Sequence, residues 1–252
     1  MPGVKDRVAI ITGSAGSLGS AQTRMLARNG AKTVLTDLNE AGGEALAAEL
    51  RDEGCTAVFM HHDVTDENSW QEVAAKTIAQ FGELNILVNN AGCNLKAAPI
   101  EERTVEEWDH IMAVNTRSVF LGTKHAIPLM RKAGGGSIVN ISSVAGLGCS
   151  KMMEAAYVAS KAAVYMFTKA TAAQYGNDNI RANSVHPGPI MSDMLQGYYS
   201  TPEKKAARLA VVPLNRFGQA DEVAAAVMFL ASDEASYITG TQIAVDGGSL
   251  AQ

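Results

Sequence analysis

A serine, a tyrosine and a lysine are spaced so that they could exchange a proton with an alcohol. Tyr157 and Lys161 are four residues apart, which places both side chains on one face of a helix. A nearby ammonium favours the phenolate, so we expect Lys161 to lower the tyrosine pKa from its usual value of about 10. Such a tyrosine can exchange a proton with an alcohol or carbonyl oxygen near neutral pH. Ser143 precedes it by fourteen residues, after an apolar run. A helical Tyr–Lys pair is common on surfaces, so these residues need support from elsewhere in the chain.

A glycine-rich turn near the N-terminus could bind a pyrophosphate. A predicted strand, Val8–Thr12, runs into Gly13-Ser14-Ala15-Gly16-Ser17-Leu18-Gly19, and a helix is predicted to follow. Glycines permit a tight turn close to the phosphates, and the start of the helix offers N–H groups and the positive end of its dipole. Glycine spacing alone is weak evidence, because glycines occur in many strand-to-helix turns. The strand before the turn and the helix after it strengthen the prediction of a dinucleotide site.

An acidic residue at the end of the next predicted strand indicates which dinucleotide binds. The carboxylate of Asp37 can accept hydrogen bonds from the adenosine ribose hydroxyls and would repel a 2′-phosphate. Neither Ala15 nor Leu38 supplies a cation that could receive that phosphate. The sequence therefore predicts NAD as the cofactor. The alternative is that Asp37 is an ordinary N-cap of the following helix.

Short β-branched runs alternate with longer alanine-rich segments along the whole chain. The predicted strands are Val8–Thr12, Thr33–Thr36, Ala57–Met60, Ile86–Asn89, Ser137–Ile141, Arg181–His186 and Thr241–Val245. The predicted helices are Ser17–Asn29, Asn39–Glu53, Glu67–Phe81, Glu106–Lys132, Glu154–Tyr175 and Asp221–Ala231. Apolar strands separated by helices predict a doubly wound parallel sheet of about seven strands with helices on both faces. We expect residues 1–252 to form this single α/β domain.

One long segment between the last two predicted strands is irregular. Pro187–Leu214 contains a possible short helix at Pro202–Ala210, and segments of this length in compact domains are usually functional. Its apolar residues are Met191, Met194, Leu195, Tyr198 and Tyr199. They predict a substrate lid at about residues 190–213. The lid either closes when ligands bind or is always packed down.

Composition excludes several classes of protein. Of the 252 residues, 47% are hydrophobic and 19% charged, which is typical of a globular protein. The net charge of −5 favours neither nucleic acid nor an anionic membrane as a partner. Cys55, Cys93 and Cys149 are widely spaced, so we expect no metal site and no disulfide framework. With no signal sequence and no long apolar run, the interpretation is a cytoplasmic protein.

Taken together, the motifs closely resemble the classical short-chain dehydrogenase/reductase family. The resemblance runs from Val8 to Gly248 and adds these motifs to the glycine turn and the Tyr–Lys pair: Asp63-Val64, Asn89-Asn90-Ala91-Gly92, Asn115, Ile141-Ser142-Ser143, Pro187-Gly188, Thr239-Gly240 and Val245-Asp246-Gly247-Gly248. It implies a Rossmann-type fold that binds NAD and transfers a hydride to or from a secondary alcohol or ketone. The lid composition favours a small or medium, mostly apolar substrate.

The resemblance also implies roles for individual residues. Tyr157 is the general acid/base, Ser143 binds the substrate oxygen, and Lys161 holds the nicotinamide ribose. Asn115 is expected to hold a water in a proton relay. The implied cofactor-binding residues are Gly13, Ser17, Leu18, Gly19, Asp37, Leu38, Asp63, Val64, Asn90, Ala91, Gly92, Tyr157, Lys161, Pro187, Gly188, Ile190 and Ser192.

Three departures from the family pattern are visible. Ser17 stands where the turn usually has its middle glycine, one residue after Gly16. The separation between Ser143 and Tyr157 is one residue longer than usual, which we expect to reshape the pocket wall without moving the tyrosine. Ser192 replaces the usual threonine and keeps its hydroxyl.

Other residues near the predicted site have simpler interpretations. Cys93 and Cys149 follow the fourth and fifth strands, and apolar filling of the pocket is favoured over a nucleophilic role. His186 is not expected to be catalytic. Glu154 begins the catalytic helix, where a negative charge suits the helix dipole; contact with substrate is the alternative.

Two other functions are alternatives to this interpretation, and the helices also predict an assembly. A 3-oxoacyl-carrier-protein reductase would share the catalytic residues, but Asp37 and the net charge argue against it. A non-catalytic NAD-binding sensor is expected to have lost part of the Ser–Tyr–Lys set, which is intact here. The predicted helices Glu106–Lys132 and Glu154–Tyr175 are apolar on more than one face. They favour a homotetramer, which the resemblance also implies.

Overall fold

Seven parallel strands form one sheet in a computed structural model that describes residues 3–150, 153–191 and 201–251. The strands are β1 Val8–Thr12, β2 Lys32–Asp37, β3 Ala57–His61, β4 Ile86–Asn89, β5 Gly136–Ile141, β6 Ile180–Pro187 and β7 Gln242–Val245. The helices are α1 Ser17–Arg28, α2 Glu40–Asp52, α3 Glu67–Phe81, α4 Val105–Met112, α5 Ser118–Lys132, α6 Ala155–Tyr175, α7 Pro202–Leu209 and α8 Ala220–Ala231. These elements confirm the predicted fold class, and their ends differ from the predicted ends by at most two residues, except inside Glu106–Lys132.

Helices cover both faces of the sheet because side chains alternate along each strand. In β1, Ala9 and Ile11 pack with residues of α1 and α8 on one face. Val8 and Ile10 pack on the other face with residues of α3, α5 and α6. Every residue of β1 is buried, as expected for a central parallel strand.

The order of the strands places the ligand edge. The sheet runs β3-β2-β1-β4-β5-β6-β7, so the chain crosses back between β3 and β4. In such sheets ligands bind at the carboxyl ends of the strands where the order reverses. Here that position lies beyond Thr12 of β1 and Asn89 of β4. The glycine turn, Asp37 and Ser143 all follow or end strands at this edge.

Buried amides connect the sheet to the helix that carries Tyr157 and Lys161. Asn89 Nδ2 in β4 donates to Asn140 Oδ1 in β5 at 2.8 Å. Asn140 Nδ2 in turn donates to Thr168 Oγ1 in α6 at 2.9 Å. The chain of bonds fixes α6 on the sheet beside the end of β5.

The predicted single helix Glu106–Lys132 is wrong in its middle. Between α4 and α5 the backbone forms a π-helical turn at Ala113–Arg117, and Asn115 lies within it. The amide of Asn115 accepts from Cys93 N–H at 2.8 Å and donates to the Cys93 carbonyl at 2.9 Å. Single π turns inside helices are frequent at functional sites, and here one carries a residue bonded to the loop after β4.

The predicted lid lies partly outside the described residues. Its short helix is confirmed as α7, Pro202–Leu209. Residues 192–200 of the segment fall outside what the structure describes, and they include Ser192, Met194, Leu195, Tyr198 and Tyr199. Among the described residues, no helix is both long and apolar enough to cross a membrane.

A buried histidine makes stability dependent on pH. His62 is 1% exposed, packs edge-on against Trp70 and places Nδ1 3.0 Å from Thr36 Oγ1. Burial lowers its pKa to about 4. Below about pH 6.5 the unfolded chain binds a proton that the folded chain rejects, so stability falls as the pH drops toward 4.

We expect His62→Gln to reduce this loss. At pH 5 His62 lowers the free energy of unfolding by about 2 kcal/mol, because a pKa difference of one unit between the folded and unfolded chain corresponds to about 1.4 kcal/mol. Urea unfolding at pH 7 and pH 5 measures it. The exposed neighbour His61 gives the matched variant, His61→Gln, which should retain the wild-type pH dependence. An equal pH dependence in wild type and His62→Gln would contradict the prediction.

Candidate active site

The structure brings the predicted serine, tyrosine and lysine together at the end of β5. Tyr157 and Lys161 lie one turn apart in α6, and the Lys161 Nζ atom is 5.7 Å from the centre of the Tyr157 ring. Lys161 is 4% exposed and donates to the carbonyl of Ile141, the last residue of β5, at 3.0 Å. The Ser143 hydroxyl accepts from Ala145 N–H at 3.1 Å and is hydrogen-bonded to Tyr157. The longer loop between Ser143 and Tyr157 therefore still allows their side chains to meet.

The sequence predicts that Lys161 lowers the pKa of Tyr157, and this prediction is wrong, because the pKa is raised. Burial raises the pKa of Tyr157, and the hydrogen bond from Ser143 only partly opposes it. Burial also lowers the pKa of Lys161 to about 8. A low-polarity site penalises the charged forms of both groups, and this loss of hydration is the largest effect on each pKa.

Asn115 lies between the loop after β4 and helix α6. Besides its two bonds to Cys93, its Nδ2 atom donates to Ser160 Oγ at 3.1 Å. Ser160 Oγ donates to the carbonyl of Tyr157 at 2.8 Å. Asn115 is completely buried, so the π turn and α6 are fixed to each other beside Tyr157.

Cys93 faces the same site. Its side chain is half-buried, burial raises the pKa of its thiol, and Lys161 is near enough to oppose that rise. A thiol kept protonated is a poor nucleophile. The geometry therefore favours the interpretation of Cys93 as pocket lining.

No sequence pattern predicts the contact that His186 makes. Its Nδ1 atom lies 2.9 Å from the carbonyl oxygen of Ser143, and Nε2 lies 2.9 Å from Ser184 Oγ. A carbonyl only accepts, so Nδ1 carries the proton. Burial lowers the pKa of His186, which favours the neutral ring. The histidine thus fixes the backbone of Ser143 and takes no part in proton transfer.

The glycine turn has the geometry that a pyrophosphate needs. Gly13 has a φ of +65°, and a Cβ there would lie 2.9 Å from Ala91 Cα. A Cβ on Gly19 would collide with the Gly13 carbonyl. Ser17 is the first residue of α1, and Gly16 before it provides no side-chain cap. No side-chain cap therefore occupies the first backbone N–H groups of α1, and Leu18 is the next residue of the helix.

Asp37 is the last residue of β2 and borders the glycine turn. Its carboxylate accepts from Ala15 N–H and from Asn39 N–H, both at 2.9 Å. The N-cap of α2 is Asn39, whose side chain accepts from Gly42 N–H at 3.0 Å. The alternative interpretation of Asp37 as the N-cap is therefore wrong. Leu38 is 62% exposed at the rim.

The loops after β3 and β4 lie at the same edge of the sheet as the glycine turn. Burial opposes the ionisation of Asp63, but two hydrogen bonds that its carboxylate accepts from Thr65 lower the pKa below its usual value. Val64 beside it is buried. Asn90 Nδ2 donates to the carbonyls of Thr12 and Gly13 at 2.9 and 3.2 Å.

Asn90 also has an unused acceptor. Its Oδ1 atom is buried and has no partner among the described residues. The adjacent Ala91 N–H donates to Thr12 Oγ1 at 3.0 Å. The space beside Gly92 is bounded by Asn115 Oδ1 and Lys161 Nζ.

The carboxyl end of β6 borders the site on the side away from the glycine turn. Pro187 is the last residue of the strand, and Gly188 N–H donates to the Val245 carbonyl at 3.0 Å. Ile190 is buried and forms an isolated bridge with Gly218. Ser192, predicted to bind the cofactor, lies outside the described residues. Within the described residues, no three His, Cys, Asp or Glu side chains group closely enough to hold a metal ion.

Comparison with known proteins decides the family. The sequence profile of a family described as enoyl-(acyl carrier protein) reductase matches residues 13–249. The chain is 46% identical over 245 residues to the cyclopentanol dehydrogenase of Comamonas sp. (strain NCIMB 9872), covering 97% of both chains. The chain belongs to the short-chain dehydrogenase/reductase family. It is also 41% identical to the trans-4-hydroxycyclohexanecarboxylate dehydrogenase of Sinomonas cyclohexanicum, over 98% of this chain and 94% of that one.

A solved structure agrees with this assignment. The crystal structure of gox2181 superposes with a TM-score of 0.96 at 35% identity, over 99% of this chain and 98% of that one. As a short-chain dehydrogenase/reductase, the chain is an oxidoreductase that uses a nicotinamide cofactor, NAD or NADP.

The observed residues fit a nicotinamide dinucleotide. Glycines hold open the space beside the start of α1, where a side chain would meet backbone atoms. The unused Oδ1 acceptor of Asn90 suits a ribose hydroxyl or an amide donor. The carboxylate of Asp37 stands at the same edge, one strand further out.

Proposed function

We propose that this protein is an NAD-dependent dehydrogenase of small or medium, mostly apolar secondary alcohols, acting reversibly on the matching ketones. One observation carries the proposal. Ser143 is hydrogen-bonded to Tyr157, and Lys161 lies beside them, at the sheet edge that also holds the glycine turn and Asp37.

Each side chain has a distinct part in the reaction. Bound NAD supplies the hydride acceptor, C4 of its nicotinamide ring. Tyr157 takes the proton of the alcohol hydroxyl during oxidation and returns it during reduction. Ser143 donates to the substrate oxygen and orients it. Lys161 binds the nicotinamide ribose, and Asn115 holds the water that carries protons to solvent.

The remaining residues bind the cofactor. The start of α1, with Gly13, Ser17, Leu18 and Gly19, receives the pyrophosphate. Asp37 and Leu38 border the adenosine ribose. The other binding residues line the adenine side, the nucleotide path and the nicotinamide: Asp63, Val64, Asn90, Ala91, Gly92, Pro187, Gly188, Ile190 and Ser192.

The names of the relatives support a secondary alcohol on a ring. Cyclopentanol and 4-hydroxycyclohexanecarboxylate each carry the hydroxyl on a ring carbon. A ring alcohol is compact and mostly apolar, which agrees with the apolar lid segment. Cyclic secondary alcohols are therefore the substrates to test first.

A carrier-protein reductase is the rival that the description of the matching family suggests. Its partner would be an acidic carrier protein, which requires basic surface, and this chain has a net charge of −5. Asp37 also disfavours the 2′-phosphate of NADPH. A non-catalytic sensor is disfavoured because Ser143, Tyr157 and Lys161 are all present and in contact range.

The decisive experiment is a substrate screen with purified protein. Cyclopentanol, cyclohexanol, linear secondary alcohols and a 3-oxoacyl thioester are each tested with both cofactors, following the absorbance of the reduced nicotinamide. We expect NAD-dependent oxidation of at least one cyclic alcohol. Turnover of the thioester with NADPH alone would replace this proposal with the reductase, and no turnover of any substrate would favour a sensor.

We further propose a homotetramer. Large apolar side chains are exposed along α4, α5 and α6, namely Val105, Trp108, Phe120 and Met166. The rings of Phe120 in α5 and Phe167 in α6 pack edge-on, with their centres 6.3 Å apart. An apolar patch of this kind on a face formed by helices suits pairing across a twofold axis.

Light scattering at micromolar concentration measures the assembly. We expect a mass of about four chains, and Phe120→Lys should reduce it because a charge would be buried at the paired face. A monomeric wild type would contradict the proposal. The single catalytic domain over 1–252, the mobile lid and the cytoplasmic location also remain predictions.

A further inference from the structure

A buried carboxylate begins the catalytic helix three residues before Tyr157. Glu154 is 3% exposed, and its Oε2 atom accepts from the N–H of Tyr157 at 2.7 Å. This bond caps α6 and confirms the structural interpretation of Glu154. Capping alone does not account for a buried carboxylate here, because Ser, Thr and Asn cap helices without burying a charge.

An arginine from another part of the chain pairs with this carboxylate. The Arg103 side chain is 12% exposed, and its Nε atom lies 3.3 Å from Glu154 Oε1. The same guanidinium contacts Glu107 Oε1 at 3.0 Å and donates to the Lys96 carbonyl at 2.8 Å. One planar cation thus makes a hydrogen bond to a carbonyl and lies in ion-pair distance of two carboxylates, and because its buried Nε atom has no hydrogen-bond partner the contact with Glu154 is an ion pair alone.

The pair connects residues 93–103 to the start of the helix that carries Tyr157. Residues 93–103 belong to the segment that follows β4. Cys93 is the first of these residues and Arg103 is the last. At the first end Cys93 is held by Asn115 and lies close enough to Tyr157 and Lys161 to influence the pKa of both. At the other end Arg103 reaches Glu154, which begins the helix carrying Tyr157.

We infer that Arg103 and Glu154 are positioning residues that fix residues 93–103 against the start of α6. The pair thereby sets the width of the space in which the alcohol meets Tyr157, and so determines which ring size is accepted. This inference rests on the proposed function, because it concerns the substrate side of the same site.

The pair acts through geometry and not through its charge. Neither Arg103 nor Glu154 is among the groups that shift the pKa of Tyr157, which responds to burial, Ser143 and Cys93. A change in the pair should therefore alter substrate fit and leave the pH dependence of turnover in place. A small displacement of a substrate-facing wall is enough to change the rate strongly.

The test compares Arg103→Gln, Glu154→Gln and the double variant. Glutamine at 154 keeps an oxygen that can accept from Tyr157 N–H, so the cap survives while the ion pair is lost. We expect either single change to raise KM for the preferred ring alcohol about tenfold and to narrow the preference between cyclopentanol and cyclohexanol. The double variant should resemble the single ones, because both residues act through one contact. Arg103→Lys should recover part of the loss.

Two controls separate this inference from general damage. Glu107→Gln removes the other carboxylate partner of Arg103. The Glu107 side chain is 41% exposed and lies outside α6, so this change should alter KM less than twofold. NADH affinity, measured by fluorescence, and the pH profile should match wild type in all variants. Additive losses, an unchanged ring preference, a shifted pH profile or an effect of Glu107→Gln equal to that of Glu154→Gln would each overturn the inference.

A measurement without substrate separates the two proposals. Hydrogen exchange of residues 93–103 should be faster in Arg103→Gln and Glu154→Gln than in wild type and Glu107→Gln. If wild type oxidises no alcohol but this difference is seen, the proposed function fails and the positioning contact stands. If wild type is active and exchange is unchanged, only the positioning role fails.

Discussion

Replacing Tyr157 by phenylalanine is expected to lower kcat by about two to four orders of magnitude, the usual range for a lost general acid or base. The variant removes one hydroxyl from a site where Ser143 is its hydrogen-bond partner. The ring and the helix remain, so NADH binding should be retained. Initial rates with the best alcohol from the screen, together with NADH fluorescence titration, measure both effects.

The same helix provides the matched control. Tyr175 is the last residue of α6, eighteen positions after Tyr157, and its ring packs under Arg131 at 5.9 Å. Tyr175→Phe makes the same chemical change away from the site and should keep wild-type rates. Near-normal turnover in Tyr157→Phe would remove Tyr157 from the acid/base role.

Cofactor preference is expected to reverse when Asp37 becomes alanine and Leu38 becomes arginine. The carboxylate stands at the end of β2, where it would repel a 2′-phosphate, and the exposed position 38 places a guanidinium at the rim. Loss of one charged contact and gain of another should change the ratio of kcat/KM for NAD over NADP by about 100-fold or more. Kinetics with both cofactors at fixed alcohol concentration provide the measurement.

Asp37→Asn serves as the control for charge. The amide keeps an acceptor for Ala15 N–H or Asn39 N–H but no longer repels a phosphate. We expect it to relax the preference without reversing it. A wild type that uses NAD and NADP equally well would contradict the role assigned to Asp37.

Features with local causes could be predicted from the sequence. Strand and helix order follows from hydrophobic runs and their breaks, so the seven parallel strands were recognisable before any contact was known. Tyr157 and Lys161 meet because residues four apart share a helix face. Gly13 and Gly19 mark the turn because only glycine fits backbone that close.

Only the tertiary structure decided features that depend on distant parts of the chain. The π turn around Asn115 follows from bonds to Cys93, twenty-two positions away. His186 reaches Ser143 because β5 and β6 are neighbours, and Arg103 reaches Glu154 because two loops meet at one sheet edge. The direction of the Tyr157 pKa also belongs here. Sequence spacing gives the lysine beside it, but burial depends on everything packed around the ring, and at this site burial is the larger effect.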